Sequence, residues 1–343
     1  MKGMVRGGLT AAILVAAMAA SPVHASANAF CRWEPTVLPL PPGFSEAGLE
    51  AADGNEWSAG WLAPDGSGPF VSEVGRWHDG AAESIGTPFG GYVDIEGINS
   101  AGVVVGLGYD ASFGMRPVVY RDGAWATLPA PGPNSRATDV NTAGDVVGID
   151  ASEGEGNNWT LLVVWPKDGP RRVLTLPNDG GLPFGTPKID DDGTVVAPFY
   201  KTSGGITTIA SYVYPNGTSQ PRALTPLRPG DGFYVTDLRN GRIVGENYAA
   251  VGATTGVQWD KSGAVQRTFP GRPAAVSVSG AVTGMAEPSY LPVVWGQGNR
   301  GAALPRPAGS QYAFSAGFSG EQVAGYSYGG AEGTKPTVWD MVC

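Results

Sequence analysis

Short apolar runs, four to six residues long and rich in valine, recur along this chain between turns of Gly, Asp, Asn and Pro. Runs of that length bounded by turn residues predict strands, and nothing past residue 30 carries the three-and-four spacing of a helix. One unit reads ATDVNTAGDVVG at 137–148, then a polar loop, LLVVW at 161–165, and a leucine-proline ending at Leu176 and Pro177. The unit before it reads GINSAGVVVG at 97–106, PVVYRDG at 117–123 and Leu128-Pro129. The residue that ends the Val-Val-Gly element falls at Gly60, Gly106, Gly148, Ala197, Gly245, Gly284 and Gly325. The aromatic that ends the next strand falls at Trp77, Tyr120, Trp165, Tyr214, Trp259, Trp295 and Trp339. Both markers occur seven times, 36 to 49 residues apart.

Repeats of that period with four short strands each predict an all-β fold, a seven-bladed β-propeller of four-stranded antiparallel blades. In each unit strand a leads into a turn begun by Asp53, Asn99, Asn141, Asp190, Asp237 or Ser277, where a short polar side chain can bond the backbone ahead. Strand b carries Val-Val-Gly, strand c is apolar on both faces, and strand d ends in proline as an outer edge strand tolerates. The last unit stops after its strand c, TVWDMVC at 337–343, while TVLPLP at 36–41 reads as a strand d with no blade before it. The N-terminal strand should therefore complete blade seven. That would bring Cys31 and Cys343, the only two cysteines, to the place of a missing hairpin turn, where a disulfide is expected.

Residues 1–27 read differently: a basic start at Lys2 and Arg6, an apolar core over 9–20, and small residues after it. This is the pattern of a secretory signal peptide cleaved between 25 and 29, leaving 28–343 as the propeller, secreted to the exterior or the periplasm. Such a compartment permits the disulfide. The formal charge is −9, and loss of Lys2 and Arg6 leaves 20 basic against 31 acidic residues, −11. A surface of that sign argues against nucleic acid and anionic membranes as partners. We expect a monomer without membrane insertion.

The units DVNTAGDVVG at 139–148 and INSAGVVVG at 98–106 with PVVYRDG after it resemble the bacterial extracellular HAF-repeat proteins, a WD40-like propeller family. The resemblance covers nearly the whole chain beyond residue 27, is clearest in units two and three, and weakens in four and seven. The tripeptide that names the family is replaced by Arg116-Pro117-Val118 in unit two. The resemblance implies a propeller and an extracellular setting, and it carries over no catalytic residue.

Turn lengths divide the ring into two faces. The a–b and c–d turns are tight and share one face; the longer b–c loops, at 108–116, 150–159, 198–205, 246–256 and 326–335, share the other with the d–a crossovers. Variable loops on a rigid frame usually carry recognition. The long-loop face collects Trp61, Tyr109, Phe113, Trp159, Tyr200, Tyr248, Tyr290 and Tyr328, rings suited to stacking on a sugar or gripping a peptide, although rings at such places more often pack loops onto blades. These residues are the candidate site for a glycan or protein ligand.

The inventory for catalysis is thin. One histidine, His78, follows residue 27, and it sits at a predicted c–d turn. A Ser–His–Asp or Cys–His device is not expected, nor a zinc site, a phosphate loop or any cofactor. Asp190-Asp191-Asp192-Gly193 has the look of a calcium-loop fragment but aligns with an a–b turn. Carboxylates are the remaining route: Asp94, Glu96, Asp110, Asp150, Glu153 and Glu155 could supply a glycosidase acid and base. The expectation is thus a non-catalytic binding module. The alternatives are a carboxylate-dependent glycoside hydrolase or lyase, and a purely structural envelope protein.

Overall fold

The computed structural model describes residues 31–343 apart from 55, 67–71, 131–133, 152–158, 204–205, 249–253, 297, 299 and 331–332. The signal-peptide segment, Glu153 and Glu155 lie outside the described residues, and of Trp159 only the backbone is described. Among the described residues every regular element is a strand, and no helix is long and apolar enough to cross a membrane.

The strands form seven antiparallel sheets arranged as a propeller. Blades one, two, three, five and six each use four consecutive strands. In blade four, strand a is split into Leu182–Pro183 and Lys188–Ile189, both paired to Val195–Ser203. Blade seven runs Tyr312–Ser319, Gln322–Tyr328, Lys335–Val342, and its outer strand is the N-terminal Arg32–Val37. Arg32 pairs with Val342 and Val37 with Thr337 in one unbroken register. Cys31 and Cys343 extend that ladder and are disulfide-bonded with Cα atoms 4.1 Å apart.

The repeated aromatic has one physical job. In six of the seven blades it is buried, and in five its polar end reaches a backbone carbonyl just past the outer strand of the preceding blade. The indole N–H donates to the Pro39 carbonyl from Trp77 (2.9 Å), to Pro129 from Trp165 (2.6 Å), to Thr225 from Trp259 (2.7 Å) and to Pro305 from Trp339 (2.7 Å). The Tyr214 hydroxyl makes the same bond to Thr175. In blade two Tyr120 is only half-buried, and Trp125 from strand d takes over, donating to the Ile85 carbonyl at 2.9 Å. A buried indole needs such an acceptor, so the aromatic orients each blade on its neighbour.

The repeated glycine has another. In six blades strand a carries a bulge opposite it, as at Leu49/Ala51, Ile95/Gly97 and Val235/Asp237. A Cβ on Gly60, Gly106, Gly148, Gly245, Gly284 or Gly325 would lie 1.8–2.1 Å from a strand-a carbonyl oxygen. Blade four breaks the rule and explains it. Its strand a leaves the sheet between Pro183 and Lys188, so nothing presses on Ala197.

The turns largely follow the sequence reading. Asn99, Asn141, Asp190 and Ser277 each accept the N–H three residues on through their carbonyls, at 2.8–3.0 Å. Asp237 does not begin a turn. Strand Gly232–Arg239 continues past it, and the hairpin turns at Asn240-Gly241, both at positive φ. That pair is the dipeptide that two-residue hairpins prefer. The Asp237 carboxylate instead accepts the Val276 N–H of the next blade at 2.8 Å, as the Asp139 carboxylate accepts that of Ile189 at 2.9 Å.

Two outcomes follow for stability. Closing the chain from residue 31 to 343 should be worth about 5–6 kcal/mol on the chain-entropy view. The intact mass should therefore be unchanged by alkylation without reductant, and the Cys31→Ser, Cys343→Ser double variant should unfold at markedly lower guanidinium. Gly245→Ala should cost roughly 2 kcal/mol or more through its clash with the Tyr234 carbonyl, whereas Ala197→Gly should cost about 1 kcal/mol or less; paired denaturation curves separate the two.

Candidate functional site

Counting back from each a–b turn builds the channel wall in layers. Two residues before the turn stand Ala51, Gly97, Asp139, Lys188, Asp237, Ala275 and Gly317, all lining a narrow central channel of about 100 Å³. The bulge residues Glu50 and Glu96 line it too, one step toward the long-loop face. Asp94 and Arg136 occupy the layer beyond them. The bulge that the glycine permits is thus what turns Glu50 and Glu96 into the channel.

The tight-turn end is closed by charge. Arg239 of blade five reaches across the ring to pair with Asp53 of blade one. Asp190 accepts the Asn240 and Gly241 N–H groups at 2.8 and 2.7 Å and pairs with Lys261 at 2.9 Å; Lys261 also pairs with Asp192. The Asp190–Asp192 run is therefore a turn stitched to blade five. Among the described residues no group of His, Cys, Asp and Glu is set to hold a metal ion. In the middle layer, burial works against the Lys188 charge, but Asp139, Asp237 and Glu96 outweigh it and raise its pKa. Burial pushes Asp139 up to about 6 against the pull of Lys188.

Toward the long-loop face acid dominates. Burial, then the neighbouring Asp94 and Glu96 carboxylates, raise Glu50 to about 7. Its side chain has open surface, yet that surface faces the channel lumen, walled by protein. Burial raises Glu96 against the pull of Arg136, with which it pairs. Burial, then the adjacent Asp94 carboxylate, raises the Tyr92 hydroxyl. Sequence reasoning passed over Glu50 and Tyr92; the register signal for Glu50 was Gly60, whose bulge partner it is.

The outer part of this end is aromatic. Phe89, Tyr92, Tyr109 and Phe113 wall a hollow of about 660 Å³ with Gly91, Asp110 and Ala111. Asp110 shapes one side: its carboxylate accepts the Ser112 and Gly114 N–H groups at 2.9 Å each and Arg116 Nε at 2.9 Å. That bracket holds Phe113 at φ 59° with 87% of its surface exposed.

The other candidate rings are scattered around the same face. Tyr200 stacks on Phe184 at 3.9 Å, and Tyr328 stacks on Tyr312 at 5.0 Å. Tyr248 donates to Glu246 at 2.5 Å. Trp61 packs over Gly48. Tyr290, at φ 52°, is exposed at the blade-six loop tip. Of the eight, Tyr109 and Phe113 share the hollow. Of the candidate carboxylates, Asp94 and Glu96 meet in the channel, while Asp110 is bound within its loop and Asp150 is buried against Ser135 and Arg171. His78 ends strand Glu73–His78 just before the Asp79-Gly80 turn, and stacks on Trp57 at 4.1 Å.

Solved propellers share this architecture. The β-propeller domain of the trilobed protease from Pyrococcus furiosus is 13% identical, with a TM-score of 0.56, covering 86% of this chain and 96% of that one. That propeller has an open velcro topology, whereas the ring here is sealed by its N-terminal strand. The Pyrococcus horikoshii acylaminoacyl peptidase is 13% identical with a TM-score of 0.56, covering 86% of this chain and 51% of that one. A puromycin-hydrolysing peptidase of Mycobacterium tuberculosis is 14% identical with a TM-score of 0.54, covering 85% and 52%. The chain thus spans about half the length of these two peptidases. No known protein-family model matches the chain, and no curated protein does. At these identities the likeness speaks for the fold.

Glu50 yields a pH prediction. Its folded pKa lies above the unfolded value near 4.5, so the folded state holds an extra proton between about 4.5 and 7. Stability should fall as pH rises through that window and level off above it. The Glu50→Gln variant should show a shallower decline, and a carbon-detected NMR titration should place the Glu50 midpoint above 6, moving down in Asp94→Asn.

Proposed function

We propose that this chain is an exported, non-catalytic binding module that takes a glycan or a protein ligand on its long-loop face. The observation that carries this reading is Phe113. A phenylalanine held in the left-handed region and almost fully exposed costs both backbone strain and apolar hydration, and its loop spends Asp110 on keeping it there. Strain of this kind persists where a ligand later repays it. Three more rings stand beside it, forming a hollow of ligand size. Export is supported by the leader-like pattern of residues 1–27 and by the disulfide. The extracellular HAF-repeat likeness points the same way.

A second reading, a carboxylate-dependent hydrolase or lyase, draws support from Glu50, a carboxyl raised to about 7 beside Asp94 and Glu96. Such a group can carry a proton at neutral pH, as a general acid must.

The two readings part on one experiment. Glycan and peptide arrays probed with the purified chain should give ligands whose binding drops at least tenfold in Phe113→Ala, with an unchanged melting temperature and no product formed. Turnover abolished by Glu50→Gln would replace the binding reading with the enzymatic one.

A further inference from the structure

Resting on the binding reading, we infer that the aromatic hollow receives an arginine side chain from an exposed segment of a protein partner. The walls exclude much else. A neutral glycan needs hydrogen-bonding groups beside the rings, and the one carboxylate in the wall, Asp110, is already engaged by two N–H groups and Arg116. Most of the wall is the rings of Phe89, Tyr92, Tyr109 and Phe113, whose faces attract cations. Beneath them the charge is negative. Asp94 stands beside Tyr92 at the base of the hollow, next to Glu50 and Glu96, and Arg136 is paired with Glu96.

Arginine fits better than lysine. Its flat guanidinium can lie on a ring and still direct a fork of N–H groups at a carboxylate. The protein uses this arrangement internally: the Arg76 guanidinium lies 4.6 Å from the Trp57 ring and 5.1 Å from the Tyr120 ring while pairing with Glu83. The hollow offers rings with an acid, Asp94, close by, while Arg116 at its rim is taken up by Asp110. An overall charge of −11 after loss of the leader would draw a basic partner from a distance.

The test uses the secreted chain and three probes, followed by NMR shifts of the tyrosine and phenylalanine rings. The probes are a pentapeptide with one arginine flanked by glycines, its citrulline twin, and chitotetraose. The arginine peptide should bind at least tenfold more tightly than the citrulline twin. Phe113→Ala and Asp94→Asn should each weaken it fivefold or more, with Glu50→Gln as a second probe of the acid should Asp94→Asn fold poorly. Equal binding of the two peptides would overturn the inference. So would binding of chitotetraose alone, lost in Phe113→Ala, although the binding reading would then stand. Failure of all three probes to move any ring of the hollow would remove both.

Discussion

A ring of sheets is held by its joints, and the joint that decides this one lies between the two ends of the chain. Six of the seven blades are built from strands consecutive in sequence; the seventh must bring residue 32 to residue 342. The ladder Arg32–Val37 supplies the backbone bonds, and the same N-terminal segment then supplies Pro39, whose carbonyl takes the Trp77 indole. One short stretch therefore completes blade seven and receives blade one. The disulfide adds no new geometry to this arrangement. It lies where a hairpin turn would join the strands, and it restores covalently the local connection that the other blades have.

From that closure the glycine repeat acquires its meaning. Each strand-b glycine lets a strand-a carbonyl approach, each approach makes a bulge, and each bulge adds a residue at the channel wall. The wall could have been entirely small and apolar, as Ala275 and Gly317 show on blades six and seven. On blades one to five it carries acid and base instead. The lower channel is neutralised by Lys188, Arg239 and Lys261, whereas toward the long-loop face the carboxyls of Glu50, Asp94 and Glu96 gather and Glu50 keeps its proton up to about 7.

Much of this was legible in the sequence, and the reasons are physical. Blade number, closure and the disulfide follow from repeat phase, because a unit lacking strand d at one end and an orphan strand d at the other have one joint solution. The Asp237 turn was misjudged because its unit reads Asp-Leu-Arg-Asn-Gly, in which Asn240-Gly241 makes a tighter turn than an Asp-led one. The site was legible only in part. Tyr109 and Phe113 stood out as loop aromatics, but the rings they meet, Phe89 and Tyr92, come from a crossover that the repeat does not mark. Glu50 was overlooked because a lone glutamate in a strand reads as a solvated position until the bulge turns it inward.

The contrast between frame and loop is the last step. Blade interiors are packed with every aromatic bonded or enclosed, so they have little to offer a ligand and little freedom to move. At the loop tips of blades two and six the chain does the reverse, setting Phe113 and Tyr290 in the left-handed region with their rings in water. Neither arrangement improves the fold, since each ring would be better hydrated as a polar residue and better placed at negative φ. A rigid ring can tolerate such local costs because its joints are secured elsewhere. The closure at Cys31 and Cys343 is one such joint, standing where a c–d turn would lie, on the face opposite these loops.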